Sequence, residues 1–195
     1  MAIDYLKDIP WSRWTRDERF FCSILYTYAK NNPKDFAEWI IQKAELDDIS
    51  INGDWDLGFE VCFYRDFLWH QNRSAKQENF PFKRTFDLCL FSGKAIIIIE
   101  AKVCEGFTTK QNDEFDNDKD EINRLPGLEE INVQIVALAS SKYFSKCRKS
   151  TLDNFDGKIS WFDVADKYKK DHKKDHPLLV QANEMKYQNV GDIFI

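Results

Sequence analysis

The sequence predicts one α/β domain in which a central mixed β-sheet is flanked by helices. Three observations support this fold class. Apolar residues recur at helical spacing near the N-terminus, they alternate with other residues from Leu57 onwards, and residues 96–99 are four consecutive isoleucines. A chain of 195 residues, 43% of them hydrophobic, has the size and core material of a single domain, which we expect to span residues 1–195.

Two helices are predicted at the N-terminal end. The first follows Thr15, which we expect to be its N-cap, with acidic residues in the first turn. Its apolar stripe consists of Trp14, Phe21, Leu25 and Tyr28. Glu18 lies on the same stripe, where a core-facing helix would be expected to carry an apolar residue. The second helix is predicted to begin at Pro33, because proline suits the first helical position.

Three strands are predicted in the middle of the chain. Residues 57–64 alternate in the manner of a strand, and a polar loop leads to a second strand at 83–91. A third strand, at 95–103, is apolar enough to be buried on both faces. The short turn Ser92-Gly93-Lys94 should join the second and third strands as a hairpin.

The C-terminal half is predicted to contain a helix at 108–125, a buried strand at 132–140, and a short strand followed by a helix within 157–170. The predicted element order is therefore α-α-β-β-β-α-β-α, with a core at about 13–140 and a C-terminal extension at 141–195. Six acidic residues and one lysine lie between 113 and 121. We expect this acidic face of the helix to be solvated and to point away from any nucleic acid.

Composition excludes several classes of protein. No apolar stretch approaches the roughly 18 residues of a membrane span, and the N-terminus lacks the pattern of a signal peptide. The five cysteines are far apart and never form a C-x-x-C pair, which favours reduced thiols and a cytoplasmic location. His172 and His176 are four residues apart, but they lie in a charged stretch without a clear third ligand, so we expect them to be solvated.

The isoleucine run ends in a charged motif, Glu100-Ala101-Lys102. Residues two apart on a strand point to the same face, so Glu100 and Lys102 should project together. The hairpin places Asp87 on the neighbouring strand near the same end. Two carboxylates that converge repel each other, and a hard cation such as Mg²⁺ between them would relieve the repulsion. The sequence therefore predicts a metal site at this end of the sheet.

Two further polar residues lie on the inward stripes of helices that could pack on this sheet. One is Glu18, and the other is Gln111, which shares a stripe with Phe115 and Ile122. Each has a simpler structural explanation alone, but together with the strand residues they favour a shared buried site. Glu60 is the alternative to Glu18 as the third acidic ligand.

These residues resemble the PD-(D/E)XK nuclease superfamily, which has the restriction-endonuclease-like fold. Its signature is an Asp on one strand and a Glu/Asp-x-Lys on the next, here Asp87 and Glu100-Ala101-Lys102. Many members add an acid on the first helix and a Gln on the helix after the motif, here Glu18 and Gln111. The match extends from about residue 13 to residue 140. It departs from the family pattern at Phe86, where members often have proline.

The resemblance implies metal-dependent hydrolysis of phosphodiester bonds, with DNA as the expected substrate and RNA as an alternative. It implies that Asp87 and Glu100 hold Mg²⁺, with Mn²⁺ as a substitute, and that Glu18 is a direct or water-mediated ligand. Lys102 would position or activate the attacking water, and Gln111 would position water or substrate. Because this fold often cleaves both strands of DNA as a dimer, a homodimer is one expected state.

The net charge of −5 gives no overall basic footprint for nucleic acid, so any binding needs a local patch. The candidate patch, called the basic segment below, comprises Lys142, Lys146, Arg148 and Lys149. Two other classes stay open: a catalytically inactive relative that binds nucleic acid or a protein, and a structural domain in which Glu100 and Lys102 form an ion pair.

Overall fold

The computed structural model describes residues 10–13, 15–172 and 177–185. Trp14 and His176 lie outside the described residues, as do the side chains of Gln111 and His172. The strands are β1 (Trp55–Val61), β2 (Phe86–Ser92), β3 (Ala95–Ala101), β4 (Asn132–Ala139) and β5 (Gly157–Ser160). The helices are α1 (Glu18–Ala29), α2 (Pro33–Lys43), α3 (Phe63–His70), α4 (Thr109–Asn123), α5 (Ser141–Phe144), α6 (Trp161–His172) and α7 (Pro177–Glu184).

The five strands form one mixed sheet in the order β1-β2-β3-β4-β5. β1, β2 and β3 are antiparallel neighbours, whereas β3, β4 and β5 run parallel. The turn at 92–94 joins β2 and β3 as predicted. β3 is therefore the central strand, and all seven of its residues are buried.

Helices cover both faces of the sheet. One apolar cluster joins α1, α2, α6 and α7 to one face, with Phe21, Phe36 and Trp161 fully buried. A second cluster joins α3, α4 and α5 to the other face, around Tyr64 and Phe115. This arrangement confirms an α/β domain with a mixed sheet flanked by helices. Among the described residues, no helix is long and apolar enough to cross a membrane.

Two predicted boundaries and the predicted element order are wrong. The strand predicted at 57–64 ends at Val61, and α3 follows directly from Phe63. Glu60 has a φ of 53°, which bends the chain out of the extended path. The order contains a helix between β1 and β2, and α5 and α7, which were not predicted. The short strand and helix predicted within 157–170 are confirmed as β5 and α6. At α1, Asp17 is the N-cap in place of Thr15, because its side chain accepts a hydrogen bond from the Arg19 amide.

Candidate active site

The candidate site lies where β3 ends, and β2 supplies its first carboxylate. The pairing of β2 with β3 runs through Leu88 opposite Ile99, so Asp87 and Glu100 are the next residues on their two strands. The Asp87 carboxylate accepts a hydrogen bond from the amide of Ala101 at 2.8 Å. This contact fixes Asp87 against the backbone of the Glu-Ala-Lys motif.

Lys102 joins this strand end to α1. Its Nζ lies 3.0 Å from the Glu18 carboxylate and also donates to the Ala101 carbonyl oxygen at 2.8 Å. The ammonium lies 5.6 Å from the centre of the Phe107 ring. Glu18 is the first residue of α1, so the N-terminus of that helix delivers the carboxylate to the strand end. The structure thus pairs Glu18 with Lys102, and the role of Glu18 as a metal ligand stays a prediction.

Glu100 is held by Arg84, which lies in the loop before β2. Its Oε1 accepts a hydrogen bond from Nη2 of Arg84 at 2.9 Å. Nε of Arg84 donates to Asp118 at 2.9 Å, and the Tyr64 hydroxyl donates to the second oxygen of Asp118 at 2.8 Å. Asp118 is only 3% exposed, so the prediction that the acidic residues of α4 all face solvent is wrong for this one.

Burial dominates the electrostatics of the carboxylates. Burial raises the pKa of Glu18 to about 7, although Lys102 partly offsets the effect, and it raises the pKa of Glu100 to about 8 despite Arg84. It also raises the pKa of Asp87. For Lys102, burial disfavours the ammonium, but Glu18 and Asp87 outweigh burial and raise the pKa. Lys102 is therefore a cation at neutral pH.

The donor chemistry of the site fits a hard divalent cation. Asp87 and Glu100 offer carboxylate oxygens, and Mg²⁺ commonly takes one or two carboxylates together with water and substrate phosphate. Across the described residues, no three histidine, cysteine or acidic side chains are grouped closely enough to hold a metal ion by themselves. Asp87 and Glu100 are the two carboxylates that could contribute ligands to such an ion, and water or substrate would have to supply the rest.

The other predicted site residues have different positions. Gln111 lies in α4, and because its side chain is outside the described part of the chain, its role stays a prediction. Glu60 is in β1, where its carboxylate lies 3.3 Å from Arg19 Nε. Burial raises the pKa of Glu60, Arg19 partly offsets the effect, and the charge of Asp87 adds to it, which places Glu60 at the border of the site.

The basic segment begins at the same end of the sheet as the Glu-Ala-Lys motif. It follows β4, whose Leu138 carbonyl accepts a hydrogen bond from the Lys102 amide at 2.7 Å. All four of its basic residues are exposed. Between them, Tyr143 is buried, and its hydroxyl accepts a hydrogen bond from the Phe107 amide at 3.0 Å. Phe107 therefore lies between the Lys102 ammonium and the start of the basic segment.

Sequence reasoning missed three residues of the site: Arg84, Asp118 and Tyr64. A signal existed for Asp118, because it lies between Phe115 and Ile122 at helical spacing and is therefore a charged residue at a core-facing position. Arg84 precedes β2 in a loop, and no periodic pattern distinguishes it. Tyr64 was assigned to a strand, so its position on α3 could not be foreseen.

Comparisons of the chain with family models, with curated proteins and with solved structures find no match. Membership of the PD-(D/E)XK superfamily therefore stays a prediction from the sequence motif.

Proposed function

We propose that the chain is a metal-dependent nuclease that hydrolyses phosphodiester bonds in DNA. One observation carries the proposal: Asp87 bonds the backbone of the Glu-Ala-Lys motif, Lys102 pairs with Glu18, and the charges of Asp87 and Lys102 act on Glu100. Folding stability gives little reason to place this set there, because apolar side chains of similar volume are often as stable as buried ion pairs.

The side chains of this site have separate roles in the proposal. Asp87 and Glu100 would hold Mg²⁺, or Mn²⁺ in its place, and the ion would supply Lewis acidity and a more acidic bound water. Lys102 is held as a cation by Glu18, so it suits the positioning of water and the stabilisation of negative charge on the phosphate. Glu18 stays a candidate third ligand, directly or through water, and Gln111 a candidate for positioning substrate.

The basic segment supports nucleic acid as the substrate. Twelve consecutive residues, 141–152, contain four basic residues and no acidic residue in a chain whose net charge is −5. Tyr143 ties this segment to Phe107 beside Lys102, so a phosphate backbone that reached the site could continue along it. DNA is the proposed substrate, RNA is the alternative, and a homodimer stays a prediction.

A second candidate function is that of an inactive relative which binds nucleic acid or a protein partner. The observation in its favour is that protein cations already engage two of the carboxylates: Glu18 pairs with Lys102, and Glu100 pairs with Arg84. In such a protein the ion pairs would replace the metal ion.

Calorimetric titration of Mn²⁺ and Mg²⁺ into the wild type and Asp87→Asn separates the two functions. The nuclease requires metal binding that Asp87→Asn abolishes and that Asp54→Asn, at an exposed aspartate before β1, leaves intact. Single- and double-stranded DNA and RNA are then tested for metal-dependent cleavage. Absence of metal binding at millimolar concentration, with and without nucleic acid, would leave the inactive relative as the better account.

A further inference from the structure

Arg84 lies outside the predicted motif, yet it contacts the glutamate at the centre of that motif. It is two residues before β2, and only 18% of its side chain is exposed. Its guanidinium carbon lies 5.0 Å from the centre of the Phe86 ring and 5.4 Å from that of Phe115. The aromatic rings restrict the guanidinium to one place, because stacking and cation–π attraction favour this arrangement.

From this place Arg84 begins a chain of buried contacts that leads away from the site. One nitrogen binds Glu100, the next binds Asp118, and Asp118 accepts a hydrogen bond from Tyr64, which is completely buried. Four elements take part: the loop before β2, β3, α4 and α3. A guanidinium fixed at several points can hold a carboxylate in a single rotamer, whereas a free glutamate samples several.

The charges in this chain of contacts favour positioning over neutralisation. A guanidinium that contacted only Glu100 would cancel the negative charge with which Glu100 could bind a divalent cation. Asp118 supplies a second carboxylate to the same guanidinium, so Arg84 and Asp118 together are neutral. Arg84 can therefore hold Glu100 by hydrogen bonding without a net positive charge beside it, so that the ionised carboxylate can bind a cation.

We propose that Arg84 is a positioning residue that holds Glu100 in the orientation required for metal binding, with Asp118 and Tyr64 as its supports. The inference rests on the proposed function, because it concerns the same metal site. Hydrogen bonds to a ligating carboxylate commonly change metal affinity by 10- to 100-fold when they are lost. Arg84 would have this effect without touching the metal or the substrate.

The test is the affinity of Mn²⁺ alone, measured by calorimetry on the full chain. Arg84→Lys keeps the positive charge but cannot bond Glu100 and Asp118 with one rigid fork, so we expect it to weaken Mn²⁺ binding by about 10- to 100-fold. Arg84→Met, which removes the charge, should also weaken binding. An effect of charge alone predicts the opposite pattern: unchanged affinity in Arg84→Lys and tighter binding in Arg84→Met.

Arg124→Lys is the matched control. Arg124 also pairs with a carboxylate, Glu121, and lies over a phenyl ring, that of Phe80, but it has no contact with Glu100. We expect it to leave Mn²⁺ affinity unchanged. Circular dichroism confirms that each variant is folded. If Arg84→Lys does not fold, Tyr64→Phe carries the test, because it changes no charge and loosens Asp118 from the far end of the chain of contacts.

The outcomes separate this inference from the proposed function. If the wild type binds Mn²⁺ and Arg84→Lys binds it equally or more tightly, the role of Arg84 is overturned and the nuclease proposal stands. Unchanged binding in Tyr64→Phe, where that variant is needed, would have the same meaning. A wild-type protein that does not bind Mn²⁺ would overturn both. Weaker binding in the folded Arg84 variants, with normal binding in Arg124→Lys, would support the role.

Discussion

Substitution of Glu18 by glutamine should make the protein more stable above neutral pH. Burial raises the pKa of Glu18 from its ordinary value of 4.5 to about 7, so ionisation of this side chain in the folded state has a cost. Each pKa unit corresponds to about 1.4 kcal/mol. Because 28% of the side chain is exposed, solvent screening reduces the full shift, and we expect a cost of about 2–3 kcal/mol.

The sign of the effect follows from proton binding. Between pH 4.5 and about 7, the folded protein keeps a proton on Glu18 that the unfolded chain has released. The free energy of unfolding should therefore fall as the pH rises through this window. Glutamine resembles the protonated form at every pH, so Glu18→Gln should match the wild type near pH 4.5 and exceed it by the full amount at pH 8.

Urea unfolding followed by circular dichroism, without divalent cations, measures this difference at several pH values between 4.5 and 8. Glu130→Gln, at an exposed residue of the loop before β4, controls for the chemical change itself. Parallel pH profiles for the wild type and Glu18→Gln would refute the reasoning. A variant less stable than the wild type at pH 8 would do so as well, because the ion pair with Lys102 would then outweigh burial.

Three further outcomes are expected. Lys102→Met should lower the Mn²⁺-dependent cleavage rate by about 10²–10³-fold in plasmid assays and leave Mn²⁺ binding measurable by calorimetry, because the ammonium acts on the phosphate charge. Alanine at Lys146, Arg148 and Lys149 should reduce the magnitude of the slope of log affinity against log salt by about 2–3 in fluorescence anisotropy with DNA. Three alanines at exposed lysines elsewhere should leave this slope unchanged. Gly106→Ala should destabilise the protein by about 1–3 kcal/mol in urea unfolding, because a Cβ there would lie 2.9 Å from the Tyr143 ring. Gly93→Ala should leave the free energy of unfolding unchanged, because a Cβ at that position has no atom within 4 Å.

The predicted fold is accurate where local signals agree with the tertiary environment. Pro33 begins α2, and the isoleucine run forms the fully buried central strand. The prediction fails at α3, because the alternation of β1 continues by coincidence through Val61 and Phe63. Leu57 of β1 packs in the cluster on one face of the sheet, whereas Val61 and Phe63 both pack in the cluster on the other face, and Phe63 begins a helix there. Local periodicity cannot distinguish the two cases over so few residues.

In the candidate site, too, some residues could be predicted from the sequence and others could not. Asp87, Glu100 and Lys102 could be predicted together because strand geometry and the hairpin register relate them directly. Arg84 could not, because its position depends on Phe115 and Asp118 of α4, which are distant from it in sequence. The role of a loop arginine depends on the residues that pack around it, and such packing produces no regular spacing in the sequence.

The charge at the end of β3 bears on why an isoleucine strand should end in buried ionic groups. Among the described side chains that bond or pair there, four carboxylates face two cations: Glu18, Asp87, Glu100 and Asp118 against Arg84 and Lys102. Burial of such an excess of negative charge disfavours folding unless protons or a bound cation balance it. The raised pKa values of Glu18 and Glu100 mean that protons would supply this balance in acid and, on Glu100, still at neutral pH. A divalent cation is the chemically suited replacement for these protons, and its affinity should therefore increase as the pH rises from about 6 to about 9 and the carboxyl groups ionise.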